Sequence, residues 1–213
     1  MKFPKLKEAL FVERLNRFVG IILLEGRRYT AYIRNTGRLT ELLREGNRVY
    51  VKPARGKHPF EIVLALYEGT LVCIDSHIAP KLYVEHIGKA CSSEPSFGDI
   101  RFDLLVEGQP VEVKSVNLVK NSVALFPDAP TKRGTRHILK LIELSRQGYR
   151  PSLVFVVQRQ DCELFCPNWE VDKDFAQALE VYVNQGLKVS ALRCKVSLEE
   201  IVIEKEIPVV LKV

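Results

Sequence analysis

The chain has 213 residues, of which 46% are hydrophobic and 27% charged, an ordinary composition for a globular protein with one large or two modest cores. No apolar run approaches the roughly 20 residues that a membrane helix needs, and the charged N-terminus lacks the apolar stretch of a signal peptide. A membrane protein and an exported protein are therefore not expected. Five cysteines, an odd number without zinc-site spacing, agree with a predicted cytoplasmic location.

The net charge of +6 belongs entirely to the N-terminal part. Residues 1–80 carry 14 Lys and Arg against 8 Asp and Glu, whereas residues 81–213 carry 18 of each. A local basic excess indicates a polyanionic partner. A contribution to solubility explains it equally well, so both interpretations stay open at this point.

Residues 10–80 have the pattern of an all-β module. Glu25-Gly26 and Glu68-Gly69 mark hairpin turns, and a short helix from Thr36 to Gly46 is predicted from its leucines. Five strands with one helix predict an N-terminal OB-like five-stranded β-barrel, a fold that often binds nucleic acid. The strand candidates are residues 18–24, 29–33, 49–51, 61–67 and 71–74.

Residues 77–80 are predicted to link this barrel, residues 1–80, to a second domain of mixed α/β pattern, residues 81–213. The run at residues 153–158 (LVFVVQ) is typical of a strand buried on both faces. Helices are predicted at residues 81–89, 135–147 and 172–184, and further strands at residues 100–106, 111–116, 122–126, 187–194 and 200–203.

A predicted hairpin in this second domain carries the most informative residues. A two-residue turn at Glu107-Gly108 places Asp103 opposite Glu112, and strand alternation puts Lys114 on the same face. The two carboxylates would then lie roughly 5 Å apart, a repulsive arrangement that a divalent cation relieves. The hairpin therefore suggests a metal-dependent phosphodiesterase site. A solvated strand face, on which Lys114 screens the two acids, is the alternative.

The segment 126–137 (FPDAPTKRGTRH) places Lys132, Arg133 and Arg136 at the start of a helix. A helix N-terminus binds anions, and these cations reinforce it, so we expect a phosphate-binding site. Ion pairs with Asp128 or with other acids are the alternative. His137, and Lys140 with it, are weaker candidates for the same cleft.

The motifs taken together resemble the sugar fermentation stimulation protein family (SfsA). The resemblance extends over nearly the whole chain and is most specific in FPDAPT-x-RG. Members of that family are described as DNA-binding proteins with an OB-like domain and a domain similar to PD-(D/E)xK nucleases. The motifs that carry the resemblance are Asn35-Thr36-Gly37-Arg38, Glu41-Leu42-Leu43, Arg101-Phe102-Asp103, Glu112-Val113-Lys114-Ser115 and Phe126-Pro127-Asp128-Ala129-Pro130-Thr131.

The resemblance implies a C-terminal PD-(D/E)xK restriction-endonuclease-like α/β domain. It also implies Asp103 and Glu112 as metal ligands, Lys114 as the motif lysine and Glu94 as an additional ligand. Phe102 departs from the motif, which has proline before the aspartate. The predicted nucleic-acid contacts are Arg34, Asn35 and Arg38 in the barrel and Lys132, Arg133 and Arg136 in the second domain.

The leading hypothesis is a DNA-binding protein without strong sequence specificity that prefers DNA to RNA. Mg²⁺ or Mn²⁺ on Asp103 and Glu112 would support hydrolysis of a phosphodiester. One alternative is a non-enzymatic DNA-binding regulator of sugar metabolism whose metal site is vestigial. Another is an enzyme acting on a small phosphorylated sugar, against which the basic barrel argues. The sequence leaves the oligomeric state open.

Overall fold

A computed structural model describes residues 1–212, whose first part is a closed β-barrel. Its strands are β1 Lys7–Asn16, β2 Val19–Leu24, β3 Arg27–Ile33, β4 Arg48–Pro53, β5 Phe60–Tyr67 and β6 Thr70–Cys73. They pair antiparallel in the order β3-β2-β1-β4-β5-β6, and a parallel pairing between β3 and β5 closes a ring of five strands, which β6 extends. The predicted OB-like five-stranded barrel is thereby confirmed.

Two details of the barrel differ from the sequence prediction. Strand β1 was not predicted, because its register shifts at two bulges and breaks the alternation of apolar residues. The helix expected from Thr36 to Gly46 is wrong. Leu39 has a φ of 53°, which is incompatible with a right-handed helix, and only a single turn forms beyond it. The leucines of this segment are nevertheless buried in the barrel core.

The remaining residues form the predicted α/β domain. A 3₁₀ turn at Ser76–Ile78 and the first residues of helix α1, Ala79–Ile87, cover residues 77–80, so the expected linker is instead ordered secondary structure. The helices are α1 Ala79–Ile87, α2 Lys132–Arg146 and α3 Lys173–Asn184. The strands are β7 Cys91–Ser93, β8 Ser96–Phe97, β9 Ile100–Arg101, β10 Leu104–Val106, β11 Gln109–Val116, β12 Leu118–Lys120, β13 Val123–Phe126, β14 Ser152–Val157, β15 Leu164–Pro167, β16 Lys188–Val196 and β17 Ile201–Ile207.

A six-stranded sheet in the order β17-β16-β14-β11-β10-β7 forms the centre of this domain, with parallel pairs between β11, β14 and β16. Strand β14 is buried on both faces, as its apolar run predicts. Leu153 and Phe155 pack with α2 and α3, whereas Val154 and Val156 pack with α1 and the barrel. The smaller sheets are β12-β13-β15 and β8-β9.

The segment at residues 100–106 forms two short strands, β9 and β10, and not the single strand that was predicted. Between them Phe102 is buried in the core and its amide donates to the Pro95 carbonyl at 3.0 Å. The Glu94 amide donates to the Asp103 carbonyl at 2.9 Å, so the preceding loop contacts the kink. The break between β9 and β10 therefore includes Phe102 and Asp103.

The barrel and the α/β domain share one hydrophobic cluster and several buried polar contacts. Asn35 Nδ2 in the barrel donates to Asn117 Oδ1 at 2.9 Å, and Gln158 Nε2 donates to the Asp75 carbonyl at 3.0 Å. The shared cluster joins β4, β5 and β6 to the central sheet and α1. Within residues 1–212, none of the helices combines the length and apolar character needed to cross a membrane.

Candidate active site

The β10–β11 hairpin has the register that the sequence predicts. Leu104 pairs with Val111 and Val106 with Gln109 around the Glu107-Gly108 turn, in which both residues have positive φ. Asp103 lies immediately before β10, and its Oδ2 accepts a hydrogen bond from the Val113 amide at 2.8 Å. This bond holds the Asp103 carboxylate beside the strand that carries Glu112.

Glu112 is a buried carboxylate, with only 2% of its surface exposed. Its Oε1 accepts from His137 Nδ1 at 2.7 Å and is ion-paired with Lys114 Nζ. Among residues 1–212, its Oε2 is buried and has no hydrogen-bond partner. The solvated strand face considered above is therefore wrong, since neither Glu112 nor Lys114 is a freely hydrated side chain.

His137 reaches Glu112 from the first turns of α2. Thr131 caps this helix by accepting from the Gly134 amide at 3.0 Å. One turn before His137, Arg133 Nε donates to His137 Nε2 at 3.2 Å. Because a guanidinium can only donate, this geometry makes Nε2 the acceptor and places the imidazole proton on Nδ1, facing Glu112. Arg133, His137 and Glu112 thus form one chain of hydrogen bonds.

The two carboxylates have opposite pKa shifts. Burial, and then repulsion from Glu112, raises the pKa of Asp103 to about 6. Burial also acts to raise the pKa of Glu112, but Lys114 and His137 outweigh it and hold that pKa below its ordinary value. Near neutral pH the site therefore carries two negative charges, which Lys114 only partly compensates.

These residues lie in a cavity of about 1180 Å³ between the barrel and the α/β domain. Asp103, Glu112 and Lys114 line it together with Lys132 and Arg133. Its wall on the barrel side includes Arg17, Asn35, Thr36 and Gly37. Acidic and basic side chains of the α/β domain thus face one cleft together with Arg17 of the barrel. Arg17, which the sequence did not single out, lies in the turn between the unpredicted strand β1 and the predicted strand β2.

The cations predicted at the start of α2 differ in their surroundings. Within residues 1–212, neither Lys132 nor Arg133 forms an ion pair, and both are exposed at the cleft. Arg136 instead pairs with Asp99 at 2.8 Å and does not line the cavity, so the alternative of an ion pair applies to this residue. Lys140 pairs with Glu143 at 2.7 Å on α2 itself.

Asp128 contacts the barrel and not the cations that follow it. Its Oδ2 accepts from the Leu39 amide at 3.2 Å, and its carboxylate packs directly against Gly37. Burial raises the pKa of Asp128. The FPDAPT and NTGR segments, which were conspicuous separately in the sequence, therefore meet at one contact between the domains.

The three predicted barrel residues have different settings. Asn35 is buried, and its Oδ1 accepts from the Gly37 amide at 2.8 Å, so it shapes the loop at the cleft wall. Arg34 pairs with the buried Glu61 at 3.3 Å on the outer face of the barrel. Arg38 is exposed, and its carbonyl accepts from Arg14. Only Asn35 of the three lines the cavity.

Glu94 lines the cleft, but its side chain is 70% exposed and pairs with Arg101 at 3.4 Å. Across residues 1–212, no three His, Cys, Asp or Glu side chains are grouped so that they could hold a metal ion. Asp103 and Glu112 remain as a pair of carboxylates. Mg²⁺ and Mn²⁺ accept one or two carboxylates when water or phosphate oxygens complete the shell, so the donor set fits these ions.

The fold and this site define a two-domain protein in which an OB-like barrel and an α/β domain enclose an acidic hairpin with a neighbouring lysine. Comparison with known proteins matches a family model to the barrel and another to the α/β domain. The family model described as the SfsA N-terminal OB domain matches residues 12–74, and the sugar fermentation stimulation protein RE domain matches residues 72–200. The chain belongs to the sugar fermentation stimulation protein family, as its motifs indicated.

Similar proteins extend this match over almost the whole chain. A sugar fermentation stimulation protein homolog of Aquifex aeolicus is 53% identical, covering 94% of this chain and 96% of its own. The homolog of Desulforamulus reducens is 38% identical, with coverage of 97% and 93%. A solved structure of Pyrococcus furiosus SfsA in complex with Ca²⁺ has a TM-score of 0.87 and 32% identity, covering 98% of this chain and 97% of that one.

Proposed function

We propose that this chain binds the phosphate backbone of a nucleic acid, DNA in preference to RNA, in the cleft between its two domains. We further propose that it hydrolyses a phosphodiester there with the help of Mg²⁺ or Mn²⁺. The observation that carries the proposal is the buried Glu112 carboxylate, whose Oε2 has no hydrogen-bond partner within residues 1–212 and which shares the cleft with Asp103 and Lys114. A buried carboxylate oxygen without a partner is costly, and a bound cation or ordered water removes that cost.

The proposed cation would be held by Asp103 and Glu112. When bound, it polarises a phosphate oxygen and activates water, which is the chemistry that phosphodiester cleavage needs. The Ca²⁺ complex of the similar Pyrococcus furiosus protein supports a divalent cation in this fold. Glu94, whose side chain is exposed, is proposed as an additional ligand only after it leaves Arg101.

The other cleft residues have separable roles. Lys114 stabilises negative charge that develops on the phosphate, and its contact with Glu112 keeps it in the cleft. Lys132 and Arg133 bind flanking phosphates at the start of α2, where they form no ion pair with the described residues. His137 holds Glu112 Oε1 and leaves Oε2 available.

The proposal is tested by cleavage of single- and double-stranded DNA and of RNA in Mg²⁺ or Mn²⁺. The Glu112→Gln variant is matched in size and removes the charge, so cleavage is expected to fall by several orders of magnitude. Asp103→Asn and Lys114→Met should also be inactive, whereas Lys205→Met, which removes an exposed lysine of the sheet edge, should remain active. Equal cleavage by Glu112→Gln and wild type would identify a contaminating nuclease.

A second function, DNA binding without turnover, is favoured by one observation. Within residues 1–212, no third His, Cys, Asp or Glu joins Asp103 and Glu112 in a metal-binding group, and Lys114 is ion-paired with Glu112. This regulator would bind duplex DNA with log affinity falling by about 0.9 per log unit of salt for each phosphate neutralised, and show no product in any metal. A binding selection tests its sequence preference, and tight binding of a sugar phosphate without affinity for polynucleotides would contradict both functions.

A further inference from the structure

The aromatic residues of the barrel fall into two groups. Tyr29 packs edge-on against Phe60, with ring centroids 5.2 Å apart, at the edge of the barrel core. Phe18 and Tyr32 instead lie together at the β1–β2 turn, with ring centroids 6.3 Å apart and planes 28° from parallel. Phe18 is 42% exposed, and its contact with Tyr32 makes the two rings an aromatic cluster at the surface and not a single exposed ring.

The Phe18–Tyr32 pair is on the outer face of the barrel. Ala31 and Ile33 are fully buried in the core, so strand alternation points the intervening Tyr32 outward. The Phe18 carbonyl accepts from the Ile33 amide at 2.8 Å, and the Phe18 amide donates to Asn16 Oδ1 at 2.8 Å. Hydrogen bonds on both sides of its backbone therefore fix the position of Phe18.

Cations surround this pair and connect it with the cleft. Arg17, adjacent to Phe18, lines the cavity that contains Asp103 and Glu112. Arg34 lies two residues from Tyr32 on the same outward face and is 41% exposed. Its carboxylate partner Glu61 is buried and is shared with Lys52 at 3.0 Å, so this group keeps a net positive charge.

Arg14 joins the parts of this surface. Its guanidinium donates to the Arg17 carbonyl at 2.8 Å and to the carbonyls of Asn16 and Arg38. The β1–β2 turn is thereby attached to the loop that carries Gly37 at the cleft wall. The aromatic pair and the cleft are consequently held in a fixed relation by this one side chain.

We propose that Phe18 and Tyr32 form a stacking platform for unpaired bases, with Arg17 and Arg34 binding the adjoining backbone. The inference rests on the proposed function and specifies its ligand: the polynucleotide that reaches Asp103 and Glu112 carries a single-stranded segment. An exposed aromatic face beside cations is the usual arrangement for unpaired nucleic acid, because bases within an intact duplex cannot reach a side chain in this way. A blunt duplex would bind through its phosphates alone.

The test compares binding of a 5′-labelled single strand, a blunt duplex and a duplex with an unpaired tail, in Ca²⁺, by fluorescence anisotropy. Loss of a base-stacking ring weakens binding by roughly 1 kcal/mol or more, so Phe18→Ala should reduce affinity for the single strand and the tailed duplex about 5- to 20-fold. Affinity for the blunt duplex should change by about twofold or less. Phe18→Leu, which retains apolar volume, should behave like Phe18→Ala, and Phe18→Trp should bind as wild type does.

Tyr149→Ala is the matched control. Tyr149 is 37% exposed and follows the far end of α2 from the cleft, so its loss should leave all three affinities unchanged. A 2-aminopurine base in the single strand should be quenched by wild type and not by Phe18→Leu. Equal loss of affinity for all three ligands, or none for the single strand, would overturn the platform. Failure of wild type to bind any of the three would instead overturn the proposed function.

Discussion

At the scale of single residues, the centre of the site is the buried carboxylate of Glu112. Glu112 has lost almost all contact with solvent, and two partners, Lys114 and His137, are both directed at its Oε1. A buried carboxylate normally has each oxygen satisfied, whereas Glu112 Oε2 has no hydrogen-bond partner within residues 1–212. Under the proposed function, this oxygen is one at which the cation would bind.

The contact from His137 should affect how tightly the proposed cation binds. His137→Ala removes the Nδ1 donor that fixes Glu112 Oε1, and loss of such supporting hydrogen bonds weakens metal binding by about 10- to 100-fold. His137→Asn, which can place an amide donor near the same position, should recover part of the affinity. Calorimetric titration with Ca²⁺ or Mn²⁺ at pH 7 measures both changes. Wild-type affinity in His137→Ala would show that His137 does not position Glu112.

The raised pKa of Asp103 should appear in the pH dependence of stability. Its pKa is about 6 in the fold, against a reference value of 3.8. The folded protein therefore holds an additional proton between these values, and this contribution to the free energy of unfolding, roughly 1–3 kcal/mol, is lost as pH rises from about 4 to above 6. Asp103→Asn should thus be more stable than wild type at pH 7 without metal, and not at pH 4.

Urea denaturation at several pH values measures this difference. The side-chain amide introduced by Asp103→Asn retains an oxygen for the Val113 amide, so the backbone bond at 2.8 Å can persist in the variant. Addition of Mn²⁺ should reverse the order at pH 7, since only wild type offers a second carboxylate. A stability advantage for Asp103→Asn that is the same at pH 4 and pH 7 would contradict the assigned shift.

At the scale of elements, Gly37 of the NTGR segment packs closely against Asp128 of the FPDAPT segment. A Cβ added at Gly37 would lie 2.6 Å from Asp128 Oδ1 and closer still to Oδ2. Only glycine allows the Asp128 carboxylate to reach the Leu39 amide. The contact between these two loops, which are distant in the sequence, therefore depends on glycine at position 37.

Gly37→Ala should therefore destabilise the protein by about 1–3 kcal/mol, the usual effect of overpacking. In an Asp128→Ala background the overlap is absent, so the same substitution should cost much less. A double-mutant cycle by urea denaturation measures the coupling, which should exceed about 0.5 kcal/mol for groups in direct contact. Additive effects would show that the loops relax independently.

The elements that could be predicted from the sequence are those with an uninterrupted pattern. The β10–β11 register followed from one tight turn, and the two long helices followed from their apolar stripes. Strand β1 was hidden by its bulges, and the helix expected at Thr36–Gly46 was excluded by backbone geometry at Leu39 that no side-chain pattern reveals.

The site was predictable to a similar extent. Asp103, Glu112 and Lys114 lie on one hairpin, so local rules brought them together, and all three line the same cleft. The role of His137 and the position of Arg17 depend on contacts between elements far apart in the chain. The i to i+4 spacing of Arg133 and His137 on α2 was the one available signal for the hydrogen-bond chain.

At the scale of the whole molecule, the interface between barrel and α/β domain is continuous with both interiors. A single apolar cluster includes Val63 and Leu64 from the barrel and Val154 and Leu192 from the central sheet. The polar part of the interface is also buried. Arg159, which has no exposed surface, donates to both oxygens of Asp161 at 2.6 Å and to the Asn117 carbonyl at 2.8 Å, and lies 5.1 Å from the centre of the Tyr67 ring.

The predicted division into residues 1–80 and 81–213 stays a prediction, although the two family models meet at residues 72–74. Wherever the boundary lies, the shared apolar cluster couples the stability of the barrel to that of the α/β domain. Domains joined only by a small polar surface move and unfold separately, whereas a shared apolar core makes separation as costly as unfolding. The cleft geometry consequently depends on both domains being folded.

We therefore expect the chain to unfold in one cooperative transition. In guanidinium, the fluorescence of Trp169, which reports on the α/β domain, should change at the same concentration as hydrogen-exchange protection of the barrel strands is lost. Arg159→Met should lower that common midpoint, because it leaves the partly exposed Asp161 carboxylate and the Asn117 carbonyl without their donor, at a cost of about 1–3 kcal/mol. Lys195→Met, at an exposed position of β16, should leave it unchanged. Separate midpoints for the tryptophan and the barrel amides would show that the interface does not couple the domains, and that the cleft can open without unfolding.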